Sequence, residues 1–279
     1  MKAGFGIAAV LAALCFGTAA NAAIITSLSD SFTGTSVDLT KWNEIDKGLQ
    51  ETGPAGYNAP SESAGGLSLG GTANNGYWYG SSLESVNAFS ITQPTMVSVD
   101  RASLTGSGTA YRSSLWIIGG DGNDYIHFSQ DVAETGWQIN AQGLSSESGG
   151  AGDAGSPTYN GEGEGITAFN SVAPDQGSHT MELLFTPISG SEVSIQPFLD
   201  NIAGPVYTFD DWTATDFNVI LTGQARTTDD TVDAIFQNFN AAVVPEPSSL
   251  VLAGIGALAL CFALRCSASH GTGILGRLG

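Results

Sequence analysis

Cysteine is almost missing from this 279-residue chain: Cys15, Cys261 and Cys266 sit in its two apolar ends, and none lies between them. A disulfide framework or a cysteine-ligated metal centre therefore cannot organise the long middle stretch, which must be stabilised by its own core. Basic residues are scarce too, 8 against 27 acidic ones, for a formal charge of −19. Leaving out Lys2, Arg265, Arg277 and Glu246, which belong to the two ends, the remaining stretch holds 5 basic and 26 acidic residues, a charge of −21. Such a surface repels DNA, RNA and anionic lipid headgroups, which excludes nucleic-acid binding. The acidity serves either solubility or the holding of cations and water within a polysaccharide matrix. Long charge blocks are absent as well, and the 37 glycines are interleaved with plentiful apolar residues, so the chain is folded. There is no H-E-x-x-H, no C-x-x-C and no phosphate-cradling loop between a strand and a helix.

What is present begins at the ends. Lys2 supplies a positive start, Ile7 to Phe16 an apolar stretch, and Ala20-Asn21-Ala22 a small-x-small cleavage site. This is a signal peptide over residues 1–22, with Ala20 and Ala22 flanking the cut and a mature chain starting at Ala23. At the other end, Val244-Pro245-Glu246-Pro247 cannot join a helix or a central strand, because each proline ring fixes φ and removes a backbone donor. The uncharged run Leu250 to Leu264 follows. As a helix it rises roughly 22 Å against a hydrocarbon core of about 30 Å, and Arg265 stands at its end as a membrane stop that can snorkel to the headgroups. An ordinary C-terminal anchor or a buried apolar helix is the less favoured alternative for this segment.

The arrangement of Pro245, Glu246 and Pro247, an apolar helix and a basic end resembles the PEP-CTERM sorting signal of Gram-negative bacteria. The likeness runs over Val244 to Leu260; it is weaker beyond, where Arg265 is followed by Cys266 and a polar, Gly-rich tail to Gly279 instead of an arginine cluster. The resemblance implies recognition by an exosortase, a membrane-embedded transpeptidase-like enzyme, and delivery to the cell surface or an exopolysaccharide matrix.

Between the ends, about 220 residues suffice for one large sandwich. Short apolar strands alternate with turn clusters, and no long helical pattern or internal repeat interrupts them. Ile24, Ile25 and Leu28 start a strand that Asp30-Ser31-Phe32 continues, with Phe32, Leu39 and Trp42 as core anchors. Leu67 to Leu69, Tyr77 to Tyr79, Met96 to Val99, Ser113 to Ile118 and Tyr125 to Phe128 are further strands. Trp137, Ile139 and Ala141, like Met181, Leu183 and Phe185, alternate with polar residues and so bury one face. Pro197 demotes the strand from Val193 to Leu199 to an edge or a bulge. Phe217 to Leu221 and Val232 to Phe239 close the series, and Ser145 to Gly165 reads as an acidic, mobile loop.

The spacing of Asp30, Phe32, Gly34, Asp38 and Trp42, D-x-F-x-G-x-x-x-D-x-x-x-W, and the stretch Thr231 to Phe239 resemble the opening and closing strands of concanavalin A-like lectin and glucanase (laminin G-like) sandwiches. The expected fold is thus all-β, an antiparallel β-sandwich of jelly-roll type over 23–240, with a signal helix before it. After it come a linker carrying the sorting motif over 241–249, a transmembrane helix over 250–265 and a polar tail over 266–279. In such a family the closing strand lies beside the first.

Glycoside hydrolases of this fold draw nucleophile and acid/base from one strand as E-x-D-x-x-E, because alternate residues share a face and can bracket a glycosidic bond. No such run occurs here. The stretch Val97 to Leu104 offers only Asp100, beside Arg101, and Glu44 and Asp46 are followed by Lys47 and Gly48. His127, between Ile126 and Phe128, reads as a solvent-facing strand residue, not a base. Tyr77, Trp78 and Tyr79 beside Asn74 and Asn75 combine flat rings with amides, the chemistry of a carbohydrate site, though a core tryptophan between edge tyrosines is the preferred reading. Asp121, Asn123 and Asp124 cluster in a Gly-rich turn that could ligate calcium or be a solvated hairpin; no other cofactor is indicated.

The expected function is that of an exported, noncatalytic structural or carbohydrate-associating protein, with exosortase and exopolysaccharide as partners. The alternative is a divergent glycoside hydrolase or lyase acting on extracellular polysaccharide.

Overall fold

The computed structural model describes residues 23–45, 56–73, 78–120, 122, 124–132, 137–142, 145–148, 166–169 and 175–245. The signal peptide with Ala20 and Ala22, the apolar run with Arg265, and Glu246 and Pro247 lie outside them. Among the described residues all regular structure is strand, and no helix is long and apolar enough to cross a membrane.

The strands, in chain order, are β1 (Ile24–Ile25), β2 (Ser27–Asp30), β3 (Trp42–Ile45), β4 (Tyr57–Ser63), β5 (Gly66–Thr72), β6 (Tyr79–Ser85) and β7 (Ala88–Ser90). Next come β8 (Thr95–Ser107), β9 (Tyr111–Gly119), β10 (Tyr125–Asp131), β11 (Trp137–Gln142), β12 (Ser145–Ser148) and β13 (Ile166–Phe169). The last six are β14 (His179–Ser189), β15 (Glu192–Leu199), β16 (Ile202–Ala203), β17 (Tyr207–Asp210), β18 (Asp216–Ala225) and β19 (Thr231–Val243). They form two sheets. The first runs β1-β7-β18-β9-β10-β11-β13, with β6 joining β18 to β3; the second runs β12-β17-β15-β14-β8-β19-β5-β4, with β2 on β19 and β16 on β15.

One core fills the space between the sheets, from Leu115, Ile117, Ile126, Phe128, Val219 and Leu221 on the first to Val97, Val99, Met181, Leu183, Ala234 and Phe236 on the second. The sheets come close at Gly223 of β18, where a Cβ would lie 2.2 Å from the Leu69 carbonyl oxygen of β5, so only hydrogen fits there. The opening motif serves this core. Asp30 accepts the Phe32 amide at 3.0 Å and the Trp42 indole N–H at 3.0 Å, while the Gly34 amide donates to Glu62 at 3.1 Å. Trp42 in turn packs edge-on against Phe239, with ring centroids 4.9 Å apart, and β2 pairs with the closing strand β19.

Four expectations are corrected. The first strand does not continue through Phe32: Asp30 turns the chain there, and Phe32 takes a left-handed φ of 52°. Leu39 is no core anchor, being 64% exposed on the turn that Asp38 closes by accepting from Thr40. Pro197 does not make β15 an edge strand. Its carbonyl accepts from Gly204, on the side away from β14, so its missing N–H faces the interval between β17 and β16, where no ladder bond is required. Ala241 to Val243 belong to β19, paired with both β2 and β8, and are not a tether. In addition, Ser145–Ser148, expected within a loop, pairs as a short strand with β17.

Candidate functional site

The sheets differ in their outward faces. On the first, ladder register places Ile220, Trp116, His127 and Asn140 in one row, with Thr222, Ser114, Ser129 and Gln138 in the next. Arg112 follows between Gln224 and Asp131. Trp116 and His127 stack nearly parallel with centroids 4.3 Å apart, and Tyr125 leans on Trp116 at 4.9 Å. The Trp116 indole donates to Thr222 at 3.3 Å.

His127 is therefore not solvent-facing, contrary to its reading from the sequence: it is buried, because its neighbour across the ladder is a tryptophan that covers the ring. Burial, and then the nearby Arg112 charge, hold its basicity well below the usual histidine range, leaving a neutral imidazole.

At the rim of this face Arg112 places its guanidinium 3.9 Å from the centroid of Trp78 and donates to Gln224 at 2.9 and 3.1 Å. The exposed Arg226 approaches the same ring at 5.8 Å. Burial lowers the Arg112 pKa to about 10, against the opposing charge of Asp131. Of the residues named from sequence as a sugar site, Trp78 is half-buried and available. Tyr79 is buried in the core and is not, because alternation turns it inward. Tyr77 and Asn75 lie outside the described residues. Sequence reading missed Arg112, Trp116 and Tyr125 as companions of Trp78; the signal was the unbroken apolar run Leu115 to Ile118, which marks a strand covered on both faces.

Among the described residues, carboxylates on this face are far apart. Glu84 shares a row with His127 across three interstrand steps, and Asp131 lies four residues further along β10, which separates them by about 20 Å. Asp216, four residues from the partner of Glu84 on the adjacent strand, stands about 14 Å from it.

The second sheet's outward face carries Asp100 and Glu182 on the neighbouring strands β8 and β14. They sit diagonally across the ladder, about 7 Å apart. Asp100 accepts from Thr180 at 2.7 Å and Asn238 at 2.8 Å. Burial, reinforced by the Asp100 charge, raises the Glu182 carboxyl above its ordinary range.

Arg101, next in chain to Asp100, points the other way. Fully buried, it donates to Gln130 and to the carbonyls of Gly177 (2.9 Å) and Asp175 (3.1 Å), and it lies 4.8 Å from the Trp137 ring centroid. Next to it His179 bridges Asp200 (2.7 Å) and Asp175 (2.9 Å), so the cluster ties β14, β15 and β8 at one end of the sandwich.

For the calcium candidate, Asp124 is buried and its carboxylate accepts the Thr213 amide at 2.8 Å and hydroxyl at 2.9 Å, an anchoring of the loop. Asp121 and Asn123 lie outside the described residues. Among the described residues no group of three or more His, Cys, Asp or Glu is placed to hold a metal ion.

The sorting segment leaves directly from the sheet. Val243 donates its amide to Thr26 at 2.9 Å and Val244 to Pro94 at 2.7 Å, and Pro245 follows, exposed.

Comparisons with known proteins fit both halves of this description. Residues 243–265 match the PEP-CTERM protein-sorting motif, so the chain carries this export signal of the Gram-negative cell envelope, a motif that implies exosortase processing. The chain superposes on a β-1,3-1,4-glucanase (lichenase) derived from a mouse hindgut metagenome, with a TM-score of 0.53 at 12% identity, covering 79% of this chain and 100% of that one. It also superposes on the Crh5 transglycosylase in complex with NAG (TM-score 0.51, 15% identity, 81% and 87% covered). A third likeness is to β-agarase A from Zobellia galactanivorans (0.50, 11%, 78% and 91%). At these identities the likeness is one of fold, and the fold is the concanavalin A-like β-sandwich. No curated protein sequence matches the chain.

Proposed function

We propose that the chain is an exported, noncatalytic protein of the cell surface or exopolysaccharide matrix, whose sandwich associates with polysaccharide through the rim of its first sheet. The sorting motif supports the destination. The observation that carries the rest is the outward face of that sheet: the half-buried Trp78, Arg112 and Tyr125 line it over the buried Trp116, and its described carboxylates stand about 14 to 20 Å apart, beyond the roughly 5 to 10 Å across which a glycosidic bond is cleaved. Half-buried aromatic rings beside amides and guanidinium groups can hold sugar rings without attacking them. Exosortase acts on Pro245 to Pro247, and Leu250 to Leu264 anchors the precursor until then.

A second reading, a divergent hydrolase, is favoured by one observation: Asp100 and Glu182 do fall within that distance, and burial together with the Asp100 charge raises the Glu182 carboxyl above its ordinary range. One experiment separates the two. Matrix polysaccharide from the host is incubated with the mature domain, and both release of reducing ends and retention on the polysaccharide are read. The proposal expects no release, and about tenfold weaker retention for Trp78→Ala, the loss of one stacked contact of about 1.4 kcal/mol. Release that disappears in Asp100→Asn and Glu182→Gln would establish the hydrolase instead.

A further inference from the structure

We propose that the hairpin between β14 and β15, Pro187 to Glu192, is a foot that rests on the lipid surface while the precursor is anchored. The inference builds on the reading of Leu250 to Leu264 as a membrane anchor, and it comes from two lengths measured from the same row of the second sheet. Val243 at the end of β19 lies opposite Thr95 of β8, and Thr95 lies opposite Phe185 of β14. From that row β14 runs on through Pro187 and Ile188 to Ser189 before the chain turns back at Glu192, so the tip projects about 15 Å beyond the exit. From the same row, the seven steps from Val243 to Leu250 can span at most about 25 Å before the apolar run begins. The headgroup layer occupies roughly the outer 5 to 7 Å of that interval. Full extension of this tether leaves the hairpin tip within about 5 Å of the headgroups when β19 points at the membrane, and any shorter path brings it into contact with them.

The chemistry of the tip suits that position. From Pro187 to Ser191 the tip carries no charge, on a domain of formal charge −21, and it presents Ile188 half-exposed beside the exposed Ser189, Gly190 and Ser191, while the one acid of the hairpin, Glu192, is half-buried at its base and accepts from Ser189 at 3.3 Å. It is also held firmly. The Trp212 amide donates to the Ser191 carbonyl at 2.9 Å, and the buried Trp212 ring packs edge-on against Phe185 at 5.4 Å. Asp210 and Asp211 stand at the same end, at the close of β17, and direct the contact to zwitterionic headgroups, since anionic ones are repelled. A braced, uncharged tip with one apolar side chain is suited to the headgroup boundary.

The test uses the full chain in phosphatidylcholine nanodiscs, with Cys15, Cys261 and Cys266 replaced by Ala and a fluorophore on Ile188→Cys or, at the opposite end of the sandwich, Thr105→Cys. Spin-labelled lipids report proximity to the headgroups. Strong quenching at position 188, none at 105, and loss of quenching when about a dozen Gly and Ser residues are inserted between Val244 and Pro245 is the expected result. If the chain is not retained by the nanodiscs at all, the anchor reading fails and takes the foot with it. Retention without quenching at 188 overturns the foot alone. Shielding of the 188 probe only after the sorting enzyme is added assigns the surface to that enzyme and likewise overturns lipid contact.

Discussion

The first and second sheets share one core and one rule of alternation, yet their outward faces are built for different surroundings. On the first, Trp116, His127, Ser114, Ser129 and Thr222 are all buried although they point away from the inter-sheet core. On the second, Ser98, Asp100, Thr180 and Glu182 are half-exposed, and the first three hydrogen-bond to one another or to their own sheet. The first sheet is thus covered twice and the second once. The difference teaches where truncation will be felt: side chains buried outside the inter-sheet core carry packing energy there, while a face of short polar residues needs only to stay wet.

Truncating the covered face should produce the largest effect. Trp116→Ala removes a buried ring stacked on His127 and should cost about 3 to 5 kcal/mol in chemical denaturation, whereas Ser98→Ala on the open face should stay within about 0.5 kcal/mol. Equal effects would erase the distinction between the faces. Next in size is Gly223→Ala, which presses a methyl group onto the Leu69 carbonyl where the sheets touch and should cost about 2 to 3 kcal/mol, read as a lowered denaturation midpoint.

The smallest effect sharpens the comparison from the open side. Glu182 has a carboxyl pKa above its unfolded value, so the folded state binds more protons in that window and stability falls as pH rises through it. Glu182→Gln should therefore be slightly more stable than the parent at pH 7, by a few tenths of a kcal/mol, and the advantage should vanish below about pH 4. A destabilised variant at pH 7 would mean that the Asp100 and Glu182 pair is held together by a shared proton or by bound ligand.

How legible this was in the sequence depended on whether one period or two forces governed a residue. Met181, Leu183 and Phe185 obey strict alternation, and their strand lies where the pattern puts it. The motif from Asp30 to Trp42 was legible as fold because its work is local: Asp30 closes a turn and caps Trp42 in one step. Leu39 was misread because hydrophobicity was taken for burial in a turn whose backbone bonds leave it outside. His127 was misread because a polar residue in an alternating strand is expected to be wet, and only the ladder register reveals Trp116 beside it. Arg101 is the clearest limit. Its inward direction depends on Gln130 and the carbonyls of Asp175 and Gly177, partners that sequence spacing cannot bring together. The sorting segment was readable as a motif, but its direct departure from a paired strand, with Val244 bonded to Pro94, required the fold.

The central claim is that this sandwich is cargo, delivered by the motif that begins where β19 ends. Intact mass and cell fraction of the chain in its host, compared with Glu246→Gln, test it most directly. The account predicts that the native chain loses the residues beyond Pro245 to Pro247 and appears at the surface, while the variant stays full length in the membrane. If both remain full length in the membrane, the sorting motif is not used and the sandwich works as a tethered domain.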